Sequence, residues 1–194
     1  MKLKSVVLLI FCMVLTTQIF SQQYAADKGA MWIAGTGSFT SSGGDLFEDM
    51  DENRATCISF TPAVNYFVIP NVFVGGAIEL STDSQGDYKD TGFGVGPHAG
   101  YVFANESSTA LPYVDAGFRY YSTKYEGGSW DSKTTGSDIF IGAGVVLPVA
   151  GHVGVVIDAG YHMMSLKHED ADESHSGNII SLGIGITGLL YNPD

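Results

Sequence analysis

The chain has 194 residues, 45% of them hydrophobic and 15% charged, and its 21 acidic against 9 basic side chains give a formal net charge of −12. So acidic a chain lacks the basic surface that nucleic acid demands, and anionic lipid headgroups would repel it. Its high apolar content excludes an intrinsically disordered polymer.

The N-terminus reads as an export signal. Met1–Lys4 carries two lysines, Ser5–Leu15 is an apolar run, and Thr16–Ser21 is a polar exit. The run is too short to span a bilayer as a helix. Cys12 lies inside it behind bulky Phe11, a poor setting for lipid attachment. Cleavage after about Ser21 leaves residues 22–194 as one domain and removes Lys2 and Lys4, so the charge becomes −12 − 2 = −14. Cys57 is then the only cysteine, and no intramolecular disulfide can form.

Eight segments follow that alternate, over much of their length, between apolar and small or polar residues: Gly29–Ser41, Ala55–Phe67, Val72–Ser81, Thr91–Phe103, Pro112–Tyr125, Ser137–Leu147, Val153–Leu166 and Gly177–Tyr191. A strand points successive side chains to opposite faces, so each segment predicts a strand with one apolar face and one small or polar face. Phe93–Phe103, Val153–His162 and Ile179–Leu190 show the pattern most clearly, with glycine repeating on the second face. Charges fall on that second face. Glu79 alternates with Ile78 and Leu80, Asp115 and Arg119 with Val114 and Phe118, and Asp158 with Ile157. A charge in lipid at the bilayer midplane costs ~2–4 kcal/mol, so this sorting suits a barrel with lipid outside.

The connections alternate in length. Val68–Asn71, Ala104–Leu111 and Pro148–His152 are short; Ser42–Arg54, Thr82–Asp90, Glu126–Gly136 and Lys167–Ser176 are longer and polar. Tight periplasmic turns and longer extracellular loops are the pattern of outer-membrane barrels, and the long connections here are acidic. Aromatic residues gather near the strand ends, with Tyr66, Tyr101, Phe103 and Tyr191 at one end and Phe93, Tyr120 and Tyr161 nearer the other. Such rings favour the membrane interface. Ile139–Ile157 is apolar enough to compete as a transmembrane helix, but Pro148, four glycines and many β-branched residues favour two strands and a turn.

The stretches Ile58–Leu80, Leu111–Tyr121 and Val155–Met164 repeat one habit: a strand ending in an aromatic, a turn with Asn, and a strand with a single inward acid. In this the mature chain resembles the small outer-membrane β-barrel proteins of the OmpA/OmpX-like superfamily. The resemblance implies an all-β, closed, up-and-down antiparallel transmembrane barrel of about eight strands in a bacterial outer membrane. It also implies contact with outer-membrane lipid, lipopolysaccharide and the barrel-assembly machinery. Tyr191 stands where such chains often end in an aromatic, but Asn192-Pro193-Asp194 follows it, a departure from that pattern.

Three sets of residues could carry chemistry. Glu79, His98, Asp115, Arg119, Asp158 and His162 share the inner face and predict a polar lumen network, since buried charges must pair. That network either fixes register and fills the lumen or gates a narrow path for water and small ions. Acidic loops holding Asp45, Glu48, Asp49, Asp51 and Glu52, and Glu169, Asp170, Asp172 and Glu173, could attract a divalent cation, but no calcium-loop spacing is present and solvated loops are the simpler reading. His162 with Ser165, and His168 with Ser174 beyond, are the residues an enzyme would draw on, and a nucleophile needs a base within hydrogen-bond reach. Gly92-Phe-Gly94-Val-Gly96 is no phosphate loop, because neither a helix nor a Lys-Ser/Thr pair follows. The expectation is a monomeric, non-enzymatic barrel without metal or cofactor, with a structural or surface-interaction role or at most a narrow pore. The alternatives from other classes are a lipid-modifying barrel enzyme and a water-soluble barrel holding a small apolar ligand.

Overall fold

A computed structural model describes residues 24–42, 55–85, 88–127, 130–168 and 174–190. The export segment, the acidic loop residues and Tyr191 lie outside that set. Eight strands run β1 (Met31–Ser42), β2 (Ala55–Ile69), β3 (Val72–Gln85), β4 (Tyr88–Val102), β5 (Leu111–Gly127), β6 (Trp130–Ala150), β7 (Val153–His168) and β8 (Ser174–Leu190). Each pairs antiparallel with its neighbour in sequence, and β8 closes on β1. Ile139–Ile157 is β6, a turn and β7 rather than a helix.

The strands outrun their predicted ends. Asp83 pairs with Asp90, Ser84 with Lys89 and Gln85 with Tyr88, so most of the expected loop Thr82–Asp90 is ladder. Glu126–Gly136 is likewise largely strand, and so are the described residues of Lys167–Ser176. Apolar alternation stops where lipid stops, but backbone pairing does not, since a hairpin outside the membrane still needs its N–H and C=O groups satisfied.

The faces sort as the alternation requires. Ile180, Leu182, Ile184 and Ile186 of β8 are 63–74% exposed, whereas inward Thr187 and Leu189 are fully buried. Tyr66, Tyr101, Phe103, Phe93, Tyr120 and Tyr161 also point outward. A water-soluble barrel would need the opposite polarity, so that alternative falls. Four prolines sit within strands; Pro112 is at the start of β5, Pro148 adjoins an irregularity in the β6–β7 register, and the other two mark gaps in their ladders. The β2–β3 ladder is interrupted at Thr61 and Pro62, and the β4–β5 ladder at Gly96 and Pro97, where the missing N–H removes a rung. Gly96 is needed beside the second break because a Cβ there would run into the Phe118 carbonyl.

The short-turn end is closed. Residues 24–30 fold across it, with Trp32 Nε1 donating to Ala25 O at 2.7 Å, Asn71 N to Ala26 O at 2.8 Å and Tyr24 Oη to Asn71 Oδ1 at 2.6 Å. Asn71 takes positive φ (68°) in the β2–β3 turn, which Asn tolerates better than most residues. Above this strap lies an apolar layer containing Trp32, Phe67, Phe73, Val102, Leu111, Val146, Val156 and Leu189. Trp32 meets Phe67 edge-on at 5.0 Å and Phe67 meets Phe73 at 5.7 Å. The opposite end differs along one seam. The β1–β8 ladder has rungs from Met31↔Leu190 to Gly37↔Ile184, while β1 continues to pair with β2 as far as Ser42 and β8 with β7 as far as Ser174.

Candidate functional site

The inner face of the middle strands carries a connected polar cluster. Arg119 on β5 is buried and pairs with Glu79 on β3. Its guanidinium lies 3.9 Å from Asp138 Oδ2 on β6 and sits 4.4 Å over the Phe140 ring. Glu79 also accepts from Tyr121 Oη at 3.0 Å, and that hydroxyl lies 2.8 Å from Ser81 Oγ. On the far side of Asp138, His162 Nδ1 approaches Oδ2 at 2.8 Å and its Nε2 lies 3.1 Å from Ser181 Oγ. Deeper in the barrel His98 Nε2 meets Asn65 Oδ1 at 2.5 Å.

The register explains these meetings. Phe140 stands opposite His162, so Asp138 is the next inward residue toward the open end of β6. Ser181 stands opposite Gly160, one inward step below His162. Three inward side chains on three adjacent strands thus descend a diagonal, within reach of a residue as long as histidine. A Cβ at position 160 would lie 2.9 Å from both His162 Nε2 and Ser181 Oγ, so glycine leaves that contact its room. A neutral imidazole has one donor and one acceptor nitrogen, so here Nδ1–H can donate to Asp138 while Nε2 accepts from the serine hydroxyl.

All six residues singled out from the sequence face the lumen, but they do not form one network. Glu79 and Arg119 pair, His98 joins Asn65, and His162 joins Asp138. Asp115 and Asp158 instead line cavities that they share with Arg119. Arg119 therefore bridges Glu79 and Asp138 rather than Glu79, Asp115 and Asp158. Asp138 was legible by parity, since Asp138, Phe140, Gly142 and Gly144 alternate with Ile139, Ile141 and Ala143. Ser181 also sits on the small-residue face, but nothing in one strand's pattern says which residue of the next it meets. Ser165 was the wrong partner for His162: it lies three residues along the same strand, so it takes the opposite face, with its hydroxyl 3.5 Å from Ser176.

Two cavities stack along the barrel. The larger, about 240 Å³, is a cup toward the long-strand end that reaches Glu79, Asp115, Asp138, Asp158, His162 and Ser181. The smaller, about 100 Å³, lies below it between Arg119 and Phe140 above and Trp32, Phe73, Val146 and Val156 beneath. Arg119 Nε, His98 Nδ1 and Asp138 Oδ1 are buried without a hydrogen-bond partner. At about 30 Å³ per molecule the smaller cavity has room for roughly three waters, and it is polar enough to hold them. Among the described residues no group of three or more His, Cys, Asp or Glu side chains is placed to hold a metal ion.

A family model described as outer membrane protein beta-barrel domain matches residues 8–187. Among solved structures the chain is similar to Neisserial surface protein A, at 18% identity and a TM-score of 0.59, over 84% of this chain and 98% of that one. It is also similar to the outer membrane protein OprG of Pseudomonas aeruginosa, at 13% identity and 0.54, over 86% and 98%. The N-terminal β-barrel domain of OprF from the same organism follows at 14% and 0.52, over 83% and 97%. At such identities the likeness is one of fold. No curated protein matches the sequence.

Proposed function

Because the chain belongs to the outer membrane protein β-barrel domain family and resides in the bacterial outer membrane, we propose that it is a surface-facing barrel with a structural and surface-interaction role, closed to through-flow. The observation that carries this reading is the apolar layer at the short-turn end. Trp32, Phe67, Phe73, Val102, Leu111, Val146 and Leu189 are at most 2% exposed, and the 24–30 strap covers them. A water or ion path would have to cross that layer with no polar group to replace its hydration. On this reading the partners are those of any such barrel: outer-membrane lipid around the apolar band, lipopolysaccharide at the outer rim, and the assembly machinery during insertion, with the chain acting as a monomer.

Planar-bilayer recording of the detergent-folded protein tests the closure. The expected trace is silent at potentials where an open porin conducts steadily. A stable, reproducible unitary conductance from the wild-type chain would overturn the proposal.

A further inference from the structure

The diagonal Asp138–His162–Ser181 has the connectivity of a hydrolytic relay, and it lies in the wall of a cup rather than in the closed interior. We propose that these residues form an esterase site. Ser181 is the nucleophile, His162 the general base and acid, and Asp138 the residue that positions and charges the histidine. This goes beyond the structural role above and departs from the non-enzymatic expectation.

Four observations carry it. The two hydrogen bonds, 2.8 Å and 3.1 Å, run through the two different nitrogens of one imidazole, as a nucleophile–base–acid chain requires. Asp138 is 2% exposed and held beside Arg119, a buried setting that keeps its orientation fixed, while Ser181 and His162 are only partly buried and line the cup. Gly160 lets the two polar groups approach each other, since a Cβ there would crowd both His162 Nε2 and Ser181 Oγ at 2.9 Å. The fourth is the seam. Leu189 N donates to His152 O on the β7 side, and the β7–β8 register is unbroken, so alternation turns the Leu182 N–H toward β1. There it lies beyond the last β1–β8 rung, Gly37↔Ile184. The amide directly after the nucleophile thus lies past the last rung of this seam, on the side where it can serve as an oxyanion donor.

The same seam specifies the substrate class. Ile180 and Leu182 point to the lipid side, yet they border the cup together with Ser181, Met164 and Ile179. An acyl chain in the outer leaflet can therefore lie against an apolar lip with its ester carbonyl at Ser181. The cup beyond is lined by Glu79, Asp83, Asp115 and Asp158 against Arg119, which disfavours an anionic alcohol portion. The substrate is an acyl ester of an uncharged or cationic alcohol.

Ser181 Oγ attacks the carbonyl carbon while its proton passes to His162 Nε2. The tetrahedral oxyanion collapses and expels the alcohol, which takes that proton. A water molecule, deprotonated by the same nitrogen, then attacks the acyl-serine and releases the carboxylic acid and the free hydroxyl. One ester and one water yield one acid and one alcohol.

The test is covalent labelling of the detergent-folded protein with an alkyl fluorophosphonate, whose fluoride leaves as the serine oxygen attacks phosphorus. The expected result is a single adduct on Ser181, located by peptide mass spectrometry on the wild-type chain, so the assignment does not depend on a variant folding. Asp138→Asn, checked for folding by its heat-modifiable gel mobility, should label about 10³-fold or more slowly, with Asp138→Glu recovering part of the rate. Hydrolysis of p-nitrophenyl octanoate should fall in Asp138→Asn in step with the labelling rate, and Ser165→Ala should leave it unchanged. No adduct on folded wild-type protein, an adduct elsewhere, or Asp138→Asn labelling at the wild-type rate would each overturn the site and leave the barrel's structural role standing.

Discussion

Replacing Arg119 by methionine keeps roughly the length of the side chain and removes the one lysine or arginine among the described cup-lining residues. Glu79 and Asp138 would then face the lumen with no guanidinium between them, and Phe140 would lose the cation over its ring. For the longer contact alone, 3.9 Å to Asp138, Coulomb attraction at an effective dielectric of about 20 amounts to about 4 kcal/mol before desolvation is counted. Desolvating the guanidinium offsets much of that, but in the variant the carboxylates stay buried without their partner. Breaking one member of such a group costs about 3–5 kcal/mol, and that is the expected loss for Arg119→Met. The assay is a urea titration of the detergent-folded barrel, following tryptophan emission and the fraction of folded species on an unheated gel. Combining Arg119→Met with Glu79→Gln should cost less than the sum of the single losses, by about 1–3 kcal/mol, because the second change removes one of the stranded charges. A single variant within about 1 kcal/mol of wild type, or strict additivity in the double, would refute the claim that this cluster is held by charge pairing.

Three further outcomes are expected. Ile184→Arg puts a cation on the lipid face at a position 63% exposed and should lower stability by ~2–4 kcal/mol in the same titration. Gly96→Ala should fail to give the heat-modifiable folded species, since its Cβ would run into backbone at Phe118 where the strands approach closely. Burial pushes the Tyr24 phenol from 10.0 to about 12, with Tyr101 and Asp27 adding to the effect. A raised folded-state value means the contribution is fully present below the unfolded value near 10.0 and disappears as pH climbs through about 12. Wild type should therefore exceed Tyr24→Phe by about 0.5–1.5 kcal/mol at pH near 9, from the bond to Asn71, and the gap should close toward pH 12, as read by urea midpoints.

What could be read along the chain was whatever a single strand records about its two surroundings. Glu79, Asp115, Arg119 and Asp158 each alternate with apolar neighbours, so their inward placement followed from parity alone. Strand ends were less legible. The polar stretches Ser81–Gln85 and Trp130–Gly136 carry no apolar face, because outside the membrane only backbone pairing holds them. The candidate site was half visible: His162 stood out as a base, but its serine was sought at Ser165, a neighbour in sequence on the opposite face.

The sequence by itself determined a barrel with lipid outside, because alternation is the response of one strand to two solvents and needs no knowledge of the other strands. Only the tertiary structure decided that Arg119 meets Glu79 and Asp138, that His162 lies between Asp138 and Ser181, and that the β1–β8 ladder stops at Gly37. Those facts depend on the stagger between strands. Stagger is set by the turns that join the strands and by the match between two strands' alternations, so no one segment read alone reveals it.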